Sequence, residues 1–201
     1  MRRYIGTTDE SLCQQGIDLL KNRNYPNVEQ VFSSPLKRCL ETAALIYPGQ
    51  EPIVIKNLAE CDFGEFENKN ADELGDNPKY QAWIDSGGRR PFPGGESRQA
   101  FEKRSVDSFL EIVDICQKNG IECASLVVHG GTIMSVMSHF VPDGGDYYFW
   151  QCGNGEGYEL ILSENTKSCL EYISVGKNEN MDENKLQREC LTCISWKKVV
   201  Q

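Results

Sequence analysis

The hydrophobic positions of this chain fall into short β-branched runs and longer stretches at helical spacing, a pattern typical of an α/β domain. The clearest example is residues 123–128, an apolar run that ends at His129. Gly130 and Gly131 follow, and apolar residues then recur at helical spacing to about His139. This order predicts a strand, a tight turn and a helix.

The same patterns predict the other elements. The best-defined helix covers residues 98–119, because its apolar residues share one face and Gly120 follows as a C-terminal cap. Ser34 as N-cap and Pro35 as first helical residue predict a second helix that runs to about Ile46. The remaining predicted elements are helices over 12–20 and around 80–84, and strands over 28–32, 52–55, 147–151, 158–162, 169–175 and 191–200.

The length and composition fit one domain. The chain has 201 residues, of which 39% are hydrophobic and 25% are charged, which is enough for a single core. No internal repeat or second domain is visible. We predict one domain over residues 1–176, then a polar linker and C-terminal extension over 177–201 with one more strand.

The acidic charge limits the partners. A net charge of −9 and a pI near 4.8 argue against a surface for nucleic acid or anionic membranes. A phosphate site would have to be a local basic pocket, which suits a small phosphorylated metabolite or inorganic phosphate. No apolar run reaches the ~20 residues of a membrane span, and residues 1–6 contain no apolar signal region, so we expect a cytoplasmic protein.

The cysteines predict no disulfide framework and no metal site. Nine is an odd number, and most of these cysteines stand within apolar or helical patterns, where a reduced thiol behaves as a small hydrophobe. Cys190 and Cys193 form a lone CxxC pair without a second pair or a nearby histidine, which is weak evidence for zinc or redox chemistry.

The position of His129 suggests an anion site. Ligands collect where the carboxyl ends of parallel strands meet helix N-termini, and the backbone N–H groups there favour anions. Arg38 is predicted near the same edge, in or beside the first turn of its helix. The alternatives are a satisfied, partly buried histidine in an ordinary turn and a solvated helix arginine.

An acidic loop over residues 58–67 supplies carboxylates. A carboxylate beside a phosphate would have a raised pKa, which suits a general acid that protonates a leaving oxygen. The alternative is a solvated acidic residue on a polar loop. Residues 86–97 are rich in glycine and proline and predict a surface loop long enough to act as a lid.

Five separated motifs together resemble the histidine phosphatase superfamily, the phosphoglycerate-mutase-like proteins, and especially bacterial phosphatases of the α-ribazole phosphatase type. They occur in family order across roughly residues 3–175. The matching segments are residues 3–12, 33–43, 58–67, 93–97 and 127–131.

The resemblance implies a three-layer α/β/α fold with a mostly parallel sheet, and hydrolysis or transfer of a phosphomonoester through a phosphohistidine. No metal or cofactor is implied. Arg38 and His129 are similar to groups that hold the phosphoryl oxygens, and Glu60 is similar to the proton donor. Residues expected to face the substrate are Gly6, Thr7, Gly130, Arg89 and Arg90, with the 93–97 loop.

One family motif is not in the printed sequence. In the family, an Arg-His-Gly-Glu-Thr motif ends the first central strand and carries the nucleophile, whereas here the segment that should follow it begins at Arg3. Three interpretations stay open. The strand and nucleophile belong upstream of Met1, or the chain is a non-catalytic phosphate-binding relative, or it is a defective fragment or one whose C-terminal strand fills the gap in the sheet. We expect this form to be inactive or nearly so. The natural substrate stays open among α-ribazole phosphate, a phosphoglycerate and other phosphomonoesters.

Overall fold

The computed structural model describes residues 3–141, 146–162, 172–176 and 193–198, the last two as strand backbone. The helices are α1 (Gln14–Lys21), α2 (Lys37–Ile46), α3 (Pro78–Asp85), α4 (Arg98–Asn119) and α5 (Gly130–Phe140). The strands are β1 (Gln30–Ser33), β2 (Ile53–Val54), β3 (Cys123–Val127), β4 (Gly157–Leu162), β5 (Tyr172–Gly176) and β6 (Cys193–Lys198). Short 3-10 turns lie at Lys56–Leu58, Gly64–Phe66 and Tyr147–Trp150.

The strands form one sheet in the order β2-β1-β3-β6-β4-β5. Strands β2, β1 and β3 are parallel, and β4 is parallel to β6. The β3–β6 and β4–β5 pairs are antiparallel. The sheet is therefore mostly parallel, and the C-terminal strand β6 lies at its centre, between β3 and β4.

Alternating side chains of the central strands pack on the two faces of the sheet, as the period of a strand requires. Phe32 and Leu126 join a large cluster with residues of α4 and α5. Val31 and Val127, which are the sequence neighbours of Phe32 and Leu126, pack with Cys39 and other residues of α2. Helices therefore cover both faces, which confirms the expected α/β architecture.

A separate aromatic cluster anchors the beginning of the described chain. Tyr4 packs edge-on against Phe63 and lies near Tyr80, Trp83 and Phe92. Because Tyr4 is fixed in this cluster, the backbone of residues 5–8 is positioned beside the start of α2.

Most sequence predictions agree with these elements, and α4 has the predicted bounds. Two predictions are wrong. Ser34 is not the N-cap of α2 and Pro35 is not its first residue, since the helix begins at Lys37 after Leu36. Residues 147–151 do not form a strand, because the Asp146 side chain accepts from Phe149 N and caps a 3-10 turn. The predicted linker over 177–189 and Cys190 lie outside the described residues, as does the side chain of Cys193. Within the described chain, no helix is long and apolar enough to cross a membrane.

Candidate active site

His129 and Arg38, predicted from distant parts of the sequence, are in contact. His129 is the residue before α5, at the end of β3, and is buried. Arg38 lies in the first turn of α2, which follows the neighbouring strand β1. Its Nε donates to His129 Nδ1 at 3.3 Å. The parallel β1–β3 pairing explains this contact, because it brings both strand ends to the same edge of the sheet.

The hydrogen bonds of His129 determine where its proton resides. Arg38 Nε can only donate, so Nδ1 must accept, and the proton of the neutral ring belongs on Nε2. Nε2 lies 2.7 Å from Ser34 Oγ, so Ser34 Oγ accepts a hydrogen bond from the Nε2–H group. Burial, with the nearby Arg38 and Arg104 charges, holds the pKa of His129 well below its usual range. His129 is thus a neutral hydrogen-bond donor.

The same hydrogen bonds argue against a serine or cysteine nucleophile at this point. The Ser34 hydroxyl oxygen accepts a hydrogen bond from His129 Nε2–H, so the imidazole does not serve as its base in this tautomer. Cys39 Sγ lies 3.6 Å from His129 Nε2, but burial raises the pKa of its thiol to about 12. A thiol with that pKa is uncharged at neutral pH and is a poor nucleophile.

Arg38 also fixes the N-terminal segment. Its Nη1 donates to Thr8 O at 2.7 Å, and its Nη2 donates to Gly6 O at 3.1 Å. Glu67 binds the donor groups of the same segment, whereas Arg38 binds its carbonyl oxygens. Glu67 Oε1 accepts from Gly6 N, Thr8 N and Thr8 Oγ1 at 2.7–2.9 Å. The backbone of residues 6–8 is held between a cation and an anion at the edge of the site.

Glu60 lies against the turn that follows His129. Its Oε2 accepts from Gly131 N at 3.4 Å and its Oε1 from Cys61 N at 2.9 Å. Burial raises the pKa of Glu60 and outweighs these hydrogen bonds and the Arg38 and Arg104 charges, which lower it. A carboxyl group with a raised pKa is suited to donate a proton.

Arg104 holds the loop that carries Glu60. Its Nη1 and Nη2 donate to Ala59 O at 2.7 Å and Glu60 O at 3.0 Å, and it forms a two-pronged ion pair with Glu96 at 2.8 and 2.9 Å. The sequence analysis missed this residue. A signal was available, because Arg104 lies on the helix face of buried Phe101, Ser105 and Ser108, where an arginine needs partners.

The loop predicted as a lid is tied to the Glu60 loop. Glu65 N donates to Pro93 O at 2.8 Å, and Glu96 N donates to Asp62 O at 2.9 Å. Glycine is required at this contact, because Gly64 has φ +52° and a Cβ there would lie 2.3 Å from Pro93 O. The segment over 93–97 is therefore a packed wall of the site.

The other predicted residues are less closely grouped. Gly6 is buried beside Arg38, whereas Thr7 is exposed at the rim. Gly130 begins α5 next to His129. Arg89 and Arg90 are exposed, and their backbone N–H groups donate to Ser86 Oγ at 3.1 and 3.2 Å. None of the contacts recorded for the described part of the chain joins either arginine to Arg38, Glu60 or His129.

Tyr147 and Arg98 extend the site beyond Glu60, and the sequence analysis assigned neither of them to it. Tyr147 Oη lies 3.4 Å from Gly131 O. The guanidinium carbon of Arg98 lies 3.9 Å from the centre of the Tyr147 ring. Among the described residues, no group of three or more histidine, cysteine or acidic side chains could hold a metal ion.

Two proteins whose names refer to phosphoserine phosphatase are similar to this chain. Phosphoserine phosphatase 1 from Hydrogenobacter thermophilus is 26% identical over 191 residues, which cover 86% of this chain and 84% of that protein. A second protein of that organism, whose name also refers to phosphoserine phosphatase, is 30% identical over 151 residues, covering 73% and 72%.

Solved structures share the fold. A phosphoglycerate mutase from Thermus thermophilus is 31% identical with a TM-score of 0.54, covering 72% of this chain and 76% of that chain. An α-ribazole phosphatase from Shigella flexneri has a TM-score of 0.60 at 23% identity, covering 74% and 75%. The model of the histidine phosphatase superfamily (branch 1) matches residues 1–174. The chain therefore belongs to the histidine phosphatase superfamily.

Proposed function

We propose that the chain binds the phosphoryl group of a small phosphomonoester at the edge of the sheet where Arg38 meets His129. The observation that carries this proposal is the 3.3 Å contact between Arg38 Nε and His129 Nδ1. The Glu60 carboxyl lies close by, because it accepts from Gly131 N in the turn after His129. The Arg38 guanidinium supplies positive charge at this edge. A phosphate oxygen would accept from His129 Nε2–H by replacing Ser34 Oγ, which accepts that hydrogen bond in the structure. The N-terminus of α5 adds backbone N–H groups beside them.

Glu60 has the properties of the proton donor for the leaving group. In the family reaction a histidine nitrogen attacks phosphorus and the bond to the leaving oxygen breaks, so that oxygen must gain a proton. Glu60 is protonated over a wider pH range than an exposed glutamate because burial raises its pKa. After the transfer, Cys61 N and Gly131 N stabilise its carboxylate.

The nucleophile of this reaction is not supplied by either histidine of the printed sequence. Nδ1 of His129 is occupied by Arg38, and His139 is exposed near the other end of α5. We therefore expect the chain as printed to bind phosphate and to hydrolyse phosphomonoesters at a rate near that of the buffer. An N-terminally extended chain that carries an Arg-His-Gly strand is expected to hydrolyse p-nitrophenyl phosphate.

A non-catalytic phosphate-binding role is the second candidate. The contacts of Arg38 with backbone carbonyl groups favour this role. Its Nη1 and Nη2 donate to Thr8 O and Gly6 O, so they position the backbone of residues 6–8, and fewer donors are left to stabilise a transition state. Absence of hydrolysis by the extended chain, together with tight phosphate binding, would support this second role.

The binding experiment is thermal unfolding with and without inorganic phosphate. Phosphate at 100 times its dissociation constant stabilises the folded state by about 2.7 kcal/mol. This corresponds to a shift in Tm of roughly 5–10 °C for a chain of this size. Arg38→Ala should abolish the shift. Lys37→Ala is the matched control, because Lys37 is the exposed neighbour on the same helix and loses the same charge. Equal shifts for both variants would refute the proposed site.

A further inference from the structure

Glu67 is held at the rim of the proposed phosphate site by backbone contacts that do not involve its own side chain. Tyr4 N donates to Lys69 O at 2.9 Å, and Asn68 N donates to Tyr4 O at 2.7 Å. These two hydrogen bonds pair the chain before the rim with the chain that follows Glu67. The position of Glu67 beside residues 6–8 is therefore set by the backbone, and a change of its side chain leaves this pairing in place.

The Glu67 carboxylate binds the rim through one oxygen. Its Oε1 accepts from Gly6 N at 2.8 Å, from Thr8 N at 2.9 Å and from Thr8 Oγ1 at 2.7 Å. Oε2 is buried and has no hydrogen-bond partner within the described chain. Three donors that converge on a single acceptor fix the backbone of residues 6–8 more tightly than one hydrogen bond would.

Arg38 takes its orientation from the same segment. Three of its five N–H groups donate to His129 Nδ1, to Thr8 O and to Gly6 O. The direction of the guanidinium is therefore set in part by two carbonyl groups of the segment that the carboxylate holds.

The rim also touches the loop of the candidate proton donor. A Cβ at Gly6 would lie 1.9 Å from Cys61 O, so only glycine permits this close approach. Cys61 follows Glu60, and Glu67 lies at the end of the same loop. The loop thus contacts the rim at two places, and at Glu67 the contact consists of the three hydrogen bonds to residues 6 and 8.

We propose that Glu67 is a positioning residue, which fixes the carbonyl groups that orient Arg38 and so raises the affinity of the site for phosphate. This inference rests on the proposed phosphate site. Glu67 acts through the backbone of residues 6–8 and through Arg38. Without it, binding of phosphate would have to order the guanidinium as well, and that ordering costs affinity.

The sign of the effect separates positioning from direct electrostatics. A carboxylate near a bound phosphate repels it, because the two charges have the same sign. If only the charge of Glu67 mattered, its removal would tighten phosphate binding. If Glu67 orients Arg38, its removal weakens phosphate binding.

The test separates the reach of the side chain from its charge. Glu67→Gln keeps an acceptor oxygen that can take the place of Oε1, whereas Glu67→Asp keeps the charge but is one methylene group shorter. Isothermal titration with inorganic phosphate should give a dissociation constant within about twofold of wild type for Glu67→Gln. Binding should be roughly tenfold weaker for Glu67→Asp and for Glu67→Ala.

Glu65→Ala is the matched control, because it removes the same charge from the same loop. The Glu65 side chain is exposed and pairs with Lys79, so phosphate affinity should equal that of wild type. Proton–nitrogen NMR follows Arg38 directly, since its Nε–H signal is identified by its absence in Arg38→Ala. This signal should be unchanged in Glu67→Gln and should move toward that of a free arginine in Glu67→Asp. A general loss of stability would lower the Tm without moving the signal.

Three results would overturn the inference. They are phosphate binding by Glu67→Asp as tight as that of wild type, binding by Glu67→Gln as weak as that of Glu67→Asp, and an equal loss in Glu65→Ala. Failure of the proposed function is distinguishable from these. If inorganic phosphate does not bind to wild type, the phosphate site is refuted and the role of Glu67 with it. If Arg38→Ala abolishes phosphate binding but the Glu67 variants bind like wild type, only the role of Glu67 is refuted.

Discussion

Gly131 is the point at which the acid loop and the helix after His129 meet, and its substitution by alanine tests that contact. A Cβ at this position would lie 2.5 Å from Glu60 Oε1 and 2.8 and 2.9 Å from Cε1 and Cζ of Phe101. Ordinary contacts between nonbonded heavy atoms are near 3.5–4.0 Å, so the overlap is about 1 Å at three atoms. Phe101 is 2% exposed, which leaves its ring little room to move.

Two effects of opposite sign determine the magnitude. Alanine in a helix is favoured over glycine by up to about 1 kcal/mol. Overpacking of a rigid core costs about 1–3 kcal/mol. We expect Gly131→Ala to lower the free energy of unfolding by up to about 2 kcal/mol. Gly130→Ala is the matched control, because a Cβ there meets no atom within 4 Å, and its stability should be unchanged or slightly higher.

Urea unfolding and thermal unfolding of the two variants measure the difference. Both variants gain the same helix preference, so the expected separation is the overpacking cost of about 1–3 kcal/mol, or roughly 2–12 °C in Tm at this chain length. Equal stability of the two alanine variants would show that Glu60 and Phe101 do not pack against this turn, and the assignment of Glu60 would lose its structural basis.

Three further predictions concern the same site. Because the pKa of Glu60 is raised above its unfolded value near 4.5, its contribution to stability is complete below that value and is lost as pH rises through the folded pKa. The Tm of wild type, measured from pH 5 to 8, should therefore fall relative to that of Glu60→Gln, and parallel curves would contradict this. Arg104→Ala should lower the free energy of unfolding by roughly 2–3 kcal/mol, since it leaves Glu96 mostly buried and unpaired, with Arg104→Lys intermediate in urea titrations. Glu67→Ala should release the backbone of residues 6–8 and speed limited proteolysis there, whereas Glu65→Ala, which removes an exposed pair with Lys79, should not.

The sequence predicted the central elements because their signals are local. Helix α4 begins at the Ser97 cap, which accepts from Ala100 N, and ends at Gly120 with φ +67°. Strand β3 and the turn at His129 follow from an apolar run and two glycines. The meeting of Arg38 with His129 was also predictable, because parallel strands end at a common edge.

The two errors have different causes. The strand expected over 147–151 is replaced by a 3-10 turn because of a local cap, in which the Asp146 side chain accepts from Phe149 N. The error at Ser34 arises from contacts between distant residues. Ser34 has the residue type and position of a helix cap, but its hydroxyl is committed to His129, 95 residues away. The first N–H of α2 is instead accepted by Asp9 Oδ1, 28 residues earlier. No local pattern encodes these pairings, and the same holds for Arg98 and Tyr147, which are brought together by the packing of α4 near residues 147–150.

The place of β6 in the sheet affects the order in which the protein can be built. Strands β2, β1 and β3 form one group, β4 and β5 form another, and β6 pairs with β3 on one side and β4 on the other. Residues 193–198 are synthesised after the other five strands, so the edges of β3 and β4 can pair with β6 only at the end of synthesis. Closure of the sheet is therefore a late step, and a chaperone that shields the exposed edge of β3 should act mainly on nascent chains that have not yet released this strand.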